Sequence, residues 1–98
     1  MGHPRFKQIL AEMQEVHDAK SVEYSGEDPL GNWREAAEIG IRPFKGAAAR
    51  LTEKYSRWKQ LMRSLRDDPP AMREALRDMA VYCIITRILY EEDQEAKS

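Results

Sequence analysis

Three cationic side chains have the spacing that places them on a single face of a helix. Arg50, Lys54 and Arg57 stand at positions i, i+4 and i+7, and we call them the basic stripe. Like charges at this spacing repel by roughly 0.2–0.5 kcal/mol per pair, so the stripe requires a compensating anion. Guanidinium groups bind phosphate bidentately, and an ammonium adds a mobile point charge. A phosphate-bearing small molecule would satisfy all three groups.

The same stripe also has a purely structural interpretation. Glu53 stands four residues before Arg57 and could pair with it on a solvated helix face. Acidic side chains of a later helix could instead neutralise the stripe from across a helix interface.

Glu74 and Asp78 are the acidic residues best placed for this second role. They stand one helical turn apart, so a helix would point both carboxylates the same way. Such a pair requires a metal ion, a proton or cationic partners. Asp78 adjoins an apolar segment, where an unpaired carboxylate would be costly. The pair is compatible with a Mg²⁺ site and also with a structural ion pair to Arg50 or Arg57.

A further group of side chains surrounds an expected turn at residues 25–31. His17, Lys20 and Tyr24 share a helix face before it, and Lys20 and Tyr24 could close over a ligand. Trp33 follows the turn and could stack a base, although a tryptophan there often anchors packing instead. The candidate ligand-binding residues are therefore Arg50, Lys54, Arg57, Lys20, His17, Tyr24, Asn32 and Trp33, with Glu74 and Asp78 as candidate metal ligands. No catalytic residue is assigned.

The elements that position these residues are all predicted to be helices. Apolar residues recur at steps of three and four, without strand-like alternation or an internal repeat. The sequence predicts an all-α fold, a single domain over residues 1–98 with three main helices and one short helix, completed by oligomerisation. The predicted helices cover about residues 4–24, 33–39, 43–65 and 71–91, and the polar tail from about 92 to 98 is expected to fray.

Capping residues set the expected boundaries. Asn32 and Glu35 form a capping-box pattern at the start of the short helix. Gly40 suits a left-handed position at its end, and Pro43 suits the first turn of the next helix. Asp68 is the expected cap of the last helix.

The last helix is expected to be the most buried element, because residues 80–89 are apolar nearly all round. Cys83 lies in this segment and is interpreted as an inert core thiol. One cysteine excludes an intramolecular disulfide and fits a reducing, cytoplasmic compartment. As a helix, residues 79–90 would span only about 18 Å, too short for a bilayer.

Composition excludes some classes of partner. The chain of 98 residues is 34% charged, with 16 basic and 17 acidic residues and a formal charge of −1. This balance predicts no general attraction to DNA or to an anionic membrane. A DNA-binding role for the short helix is further disfavoured by Glu35 and Glu38.

Taken together, these residues resemble a phage and prophage family, the nucleotide modification associated domain. It is distantly similar to MazG-type all-α nucleoside triphosphate pyrophosphohydrolases. The resemblance covers about residues 8–92 through the order and spacing of several short motifs. They are His17-x-x-Lys20-x-x-x-Tyr24, Asp28-Pro-Leu-x-Asn32, Glu35-Ala-Ala, Gly40-Ile, Lys45-Gly46, Arg50-Leu-x-x-Lys54-x-x-Arg57 and Leu76-x-Asp78-x-Ala-x-Tyr82.

The resemblance implies a helical, nucleotide-handling protein that forms dimers or larger assemblies in the host cytoplasm. In MazG-type enzymes, carboxylates on two facing helices hold Mg²⁺, which promotes attack of water between the α- and β-phosphates. Here Ala75 stands three residues before Asp78, where the enzyme pattern has an acid, and the nearest acid is Glu74. Nucleotide binding, with sequestration of a nucleotide or nucleotide-derived signal, is the leading hypothesis. The alternatives are Mg²⁺-dependent pyrophosphohydrolysis and a helical protein–protein interaction module without a ligand.

Overall fold

The fold is all-α, as the sequence predicts. The structure, a computed structural model, describes residues 2–25, 28 and 30–97, with only the backbone at 24 and 25, and these residues include no strand. The helices are α1 (Pro4–Ser25), α2 (Gly31–Glu35), a short 3₁₀ helix (Ala36–Ile39), α3 (Pro43–Arg63) and α4 (Pro69–Lys97). The chain divides into two compact units, Met1–Asn32 and Trp33–Ser98.

The first unit consists mainly of α1. A proline at its first position suits the fixed backbone angle of an initial helical turn. Met13 is buried, whereas Phe6, Ile9 and Leu10 are exposed. The predicted helix is therefore confirmed, but its apolar face is not buried along its whole length.

The second helix begins earlier than the capping-box pattern predicts. Asp28 forms the preceding turn, because its Oδ1 accepts a hydrogen bond from the Leu30 N–H at 3.1 Å and its carbonyl oxygen accepts one from the Gly31 N–H. Asn32 therefore lies inside α2 rather than at its cap. The predicted turn at residues 25–31 also includes residues 26, 27 and 29, which lie outside the described residues.

The 3₁₀ helix ends as the sequence predicts. Gly40 has a φ of 84°, in the left-handed region that glycine adopts without strain. Its backbone N–H bonds to the Ala37 carbonyl oxygen at 3.1 Å.

In the second unit, α3 and α4 form an antiparallel hairpin. Phe44 near the start of α3 contacts Tyr90 near the end of α4, with ring centroids 5.4 Å apart in an edge-to-face arrangement. Lys54, later in α3, pairs with Asp78, earlier in α4. Asp68 caps α4 as predicted, since its Oδ1 accepts a hydrogen bond from the Ala71 N–H at 3.2 Å.

Small and aliphatic side chains fill the interface of this hairpin. Ala47 is completely buried and Leu89 is 2% exposed, and Ala75 and Ile85 are also buried. Full burial of a leucine side chain stabilises a fold by about 1.5–3 kcal/mol. The short alanine side chains leave room for the two helix backbones to approach each other.

Among the described residues, α4 has more buried residues than any other helix, as predicted, but its apolar middle is not buried on all sides. Cys83 is exposed, so the prediction of a core thiol is wrong. Leu76 and Ile84 are 49% and 48% exposed. The reason is geometric, because within the second unit α3 packs against one side of α4, and the described apolar side chains on the opposite side are exposed.

The far end of α3 departs from the prediction in a similar way. The helix ends at Arg63 rather than near residue 65. The recurrence of apolar residues at steps of three and four predicts an apolar stripe along this helix that includes Ala47, Tyr55, Met62 and Leu65, but the last three are exposed. Ala47 of the same predicted stripe is completely buried, and Lys54 of the adjacent predicted line pairs with Asp78 of α4.

The polar tail of α4 is helical to Lys97 instead of fraying from residue 92. Two arginines of the same unit hold it. Arg34 donates to both carboxylate oxygens of Glu92, at 2.7 and 3.0 Å, and Arg42 forms a salt bridge with Asp93. The hydrogen bond from Arg42 is the largest cause that lowers the pKa of Asp93. Burial opposes it, and the charges of Arg42 and Lys97 lower the pKa further.

Candidate phosphate-binding cleft

A cleft of about 310 Å³ lies between α3 and α4 of the second unit. Its size is at the lower end of the roughly 300–1,000 Å³ typical of small-molecule sites. Residues from both helices line it: Glu53, Lys54, Arg57, Ala71, Glu74, Ala75 and Asp78. The hairpin thus brings together two residues of the basic stripe and both candidate metal ligands.

Asp78 is the most buried charged residue of this cleft, at 9% exposed. The Lys54 ammonium lies 3.5 Å from its Oδ2, and a guanidinium nitrogen of Arg77 lies 3.4 Å from its Oδ1. The same ammonium lies 5.8 Å from the centroid of the Tyr82 ring, within the range of a cation–π interaction. Asp78 therefore pairs with cations as expected, but with Lys54 and Arg77 instead of Arg50 or Arg57.

Arg77 is a residue of this cluster that the sequence analysis missed. Adjacent positions on a helix do not normally face each other, so no spacing rule would have joined Arg77 to Asp78. Its Nε is buried and has no hydrogen-bond partner among the described residues. Arg77 consequently acts on Asp78 through a single terminal nitrogen.

Arg57 and Glu74 differ from the Lys54–Asp78 pair because neither forms an ion pair with another described residue. Both line the cleft and both are exposed. The predicted alternative, an ion pair between Glu53 and Arg57, is wrong. Glu53 pairs with Arg50 instead, at 3.0 Å.

Arg50 occupies a different position from the other two residues of the basic stripe. It is half exposed, is held by Glu53, and is not among the described residues that line the cleft. Two of the three cations therefore face the cleft, and the third lies one turn earlier on α3.

The pairing leaves two opposite charges available in the cleft. Lys54 and Asp78 offset each other, and so do Arg50 and Glu53. Arg57 then presents a cation, and Glu74 presents a carboxylate. A ligand that offers an anion to one side and N–H donors to the other would match both groups.

The remaining candidate residues fall in two places. His17, Lys20, Tyr24 and Asn32 belong to the first unit and are described within it alone. His17 Nε2 lies 3.5 Å from Ser21 Oγ, and Lys20 is exposed. The Tyr24 side chain lies outside the described part of the chain.

Trp33 belongs to the second unit and packs there. Its ring contacts Tyr82 edge-on, with centroids 6.0 Å apart. A Cβ placed at Gly46 of α3 would lie 3.6 Å from the same indole. These contacts favour the packing interpretation of Trp33 over base stacking.

The described residues of the cleft do not form a protein-built Mg²⁺ site. Each oxygen of Asp78 has a cationic side chain as its neighbour. Among the described residues, no three histidine, cysteine, aspartate or glutamate side chains are grouped closely enough to hold a metal ion. Magnesium would therefore have to arrive with the phosphates of a ligand, as is common for this ion.

Comparisons with protein-family models, curated proteins and solved structures found no match. The resemblance to the phage family therefore rests on the quoted residues alone. Within the described residues, no helix is both long enough and apolar enough to cross a membrane.

Proposed function

We propose that this protein binds a nucleotide, or a nucleotide-derived signal, in the cleft between α3 and α4. Arg57 carries the proposal, because it is a guanidinium that lines the cleft without an ion pair among the described residues. A phosphate would receive the bidentate hydrogen bonds that a guanidinium offers. Lys54, three residues earlier on the same helix, would supply the second positive charge.

The Lys54–Asp78 pair supports this assignment through positioning. Asp78 holds the Lys54 ammonium at the cleft wall before a ligand arrives. A terminal phosphate carries about −1.5 to −2 charges, more than a carboxylate, and would compete for the ammonium. Arg77 would continue to neutralise Asp78 when Lys54 turns towards the phosphate.

Glu74 suggests which end of the ligand lies opposite the phosphate. An ionised carboxylate accepts hydrogen bonds only, so it favours a base that carries exposed N–H donors. Guanine presents an N2 amino donor beside its ring N–H. We therefore expect guanine nucleotides to bind more tightly than uracil nucleotides.

Pyrophosphohydrolysis is the enzymatic alternative for the same cleft. It would require Mg²⁺ delivered by the nucleotide, since the described residues form no metal cage. Product analysis of a triphosphate incubated with the protein and Mg²⁺ separates hydrolysis from binding.

Thermal unfolding in the presence of nucleotides tests the proposal. The panel contains guanine, adenine and uracil nucleotides and cyclic nucleotides, each with and without Mg²⁺. A ligand at about 100 times its dissociation constant stabilises the folded state by about 2.7 kcal/mol. We expect a higher midpoint with at least one guanine nucleotide, and a reduced shift in Arg57→Gln and Lys54→Gln variants. Arg50→Ala should leave the shift unchanged, because Arg50 is not among the described residues that line the cleft.

Two outcomes would contradict parts of this proposal. An unchanged midpoint with every phosphate ligand would exclude nucleotide binding. The interaction-module hypothesis would then be favoured, because exposed apolar side chains such as Leu76 and Ile84 are available for a protein partner. Equal increases in the thermal midpoint with guanine and uracil nucleotides would be consistent with phosphate binding in the cleft but would refute the role given to Glu74 in base recognition.

A further inference from the structure

The side of α4 that faces away from α3 carries an exposed apolar stripe. Leu76, Ala80, Ile84 and Ile88 recur every four residues, and Cys83 lies beside them. Leu76, Ile84 and Ile88 are 49%, 48% and 39% exposed, and Cys83 is exposed as well. We call these five residues the outer stripe. Residues four apart on a helix form a continuous ridge, the surface used in helix packing.

Opposite charges flank the outer stripe. Arg73 precedes it on the same side of the helix and has no ion pair among the described residues. Glu91 follows it, is 54% exposed, and forms a salt bridge of 2.8 Å with Arg87 one turn earlier. One end of the stripe thus carries a cation without an ion pair among the described residues, and the other end carries an Arg87–Glu91 ion pair with an exposed carboxylate.

We propose that the outer stripe is the interface between two copies of this chain, with the two α4 helices antiparallel. A two-fold interface brings the same surface of both copies together. An antiparallel copy places the Arg73 end of one helix beside the Glu91 end of the other, which matches the charges. A parallel copy would place the two Arg73 side chains together.

The antiparallel register can be stated residue by residue. Arg73 and Glu91 lie equally far from position 82, and so do Leu76 and Ile88. The next pair inward, Ala80 and Ile84, is symmetric about the same position. A single register therefore places Arg73 opposite Glu91 at the ends. Further in, it places Leu76 opposite Ile88, and at the centre it places Ala80 opposite Ile84.

Cys83 provides a chemical reporter for this register. It lies one residue from the midpoint, on the exposed side, so the two-fold axis brings the two Cys83 thiols close together. No other cysteine exists in the chain. A short bis-maleimide would join two copies by adding one thiol to each maleimide ring, and Cys83→Ser would remove that product without breaking the dimer.

Sedimentation equilibrium of the full chain without nucleotide tests the interface. We expect a dimer that Ile84→Glu dissociates, raising the dissociation constant by roughly a hundredfold, since both copies then bring a charge into the centre of the interface. Ile39→Glu is the matched control, because Ile39 is 78% exposed and lies outside the outer stripe. Circular dichroism confirms that each variant remains helical.

Charge reversal tests the antiparallel arrangement. Arg73→Glu and Glu91→Arg should each weaken the dimer, and the double variant should recover most of the lost affinity. A monomer at all concentrations, or a dimer unaffected by Ile84→Glu, would overturn the proposed interface. Failure of the double variant to recover affinity, together with no Cys83 cross-link, would overturn the register. None of these measurements depends on nucleotide binding.

Discussion

The Lys54–Asp78 ion pair allows a quantitative prediction about the cleft. Two unit charges at their separation of 3.5 Å attract by about 5 kcal/mol at an effective dielectric constant of about 20, before desolvation is subtracted. The side chains are 30% and 12% exposed. The pair is therefore intermediate in burial. Surface ion pairs contribute about 0.2–1 kcal/mol to stability, and removing one partner of a buried pair costs about 3–5 kcal/mol. We expect a coupling free energy of about 1–2 kcal/mol.

A double-mutant cycle measures this coupling. The free energy of unfolding is obtained from urea titration of the wild type, Lys54→Met, Asp78→Asn and the double variant at one protein concentration. Asp78→Asn should be the more destabilising single change, because it removes the partner of both Lys54 and Arg77. In thermal unfolding, each 1 kcal/mol corresponds to about 4–8 °C for a chain of this length.

The Arg50–Glu53 pair supplies the matched control on the same helix. Its side chains are 50% and 62% exposed, so its coupling should be at most about 0.5 kcal/mol. A Lys54–Asp78 coupling no larger than the control would refute the positioning role given to Asp78.

Three further changes test other parts of the fold. Leu89→Ala should destabilise the protein by about 2–5 kcal/mol through a cavity between α3 and α4, whereas Leu65→Ala, fully exposed, should change urea unfolding by less than about 0.5 kcal/mol. Gly40→Ala should destabilise the protein by about 1–2 kcal/mol, because the φ of residue 40 is 84°. Gly46→Ala should stabilise α3 by roughly 0.5–1 kcal/mol, because the new methyl group would make only ordinary contacts. A higher urea midpoint for Gly40→Ala than for Gly46→Ala would contradict both expectations. The pKa of Asp93 is lowered in the folded state. Its ionised carboxylate therefore stabilises the folded protein at pH values above the unfolded-state pKa, and this stabilisation is lost as the pH falls through the folded-state pKa. The wild type and Asp93→Asn should therefore differ in thermal midpoint at pH 7 and converge in acid, and a constant difference would exclude the linkage.

The helices and their caps could be predicted because local chemistry determines them. Pro43, Gly40 and Asp68 occupy the positions expected from backbone angles and capping hydrogen bonds. The start of α2 was missed because Asp28 forms the turn that precedes Gly31, whereas Asn32 was expected to be the N-cap.

The high burial of α4 was predictable from its composition, but its buried side was not, because composition does not say which side of an apolar helix has a partner. Cys83 and Ile85 have similar apolar neighbours in the sequence, yet the first is exposed and the second is buried against α3.

The sequence predicted which helix faces carry the residues of the candidate cleft, but not which of these residues pair with each other. The spacing of Lys54, Arg57, Glu74 and Asp78 predicted shared faces, and the hairpin places all four around one cleft. Which cation pairs with which carboxylate depends on the rotation of α3 against α4, and helical periodicity does not determine this rotation within one residue. Asp78 therefore pairs with Lys54 in place of an arginine.

The nucleotide affinity of two arginine variants tests the central claim most directly. The ligand is the nucleotide that gives the largest thermal shift, and calorimetric titration compares the wild type, Arg57→Gln and Arg63→Gln. Arg63 lies on α3, is exposed, and does not line the cleft. Loss of a charge-assisted contact of about 1.5–3 kcal/mol predicts at least roughly tenfold weaker binding for Arg57→Gln and unchanged binding for Arg63→Gln. Equal affinities of the two variants would contradict the claim that the cleft binds the phosphate.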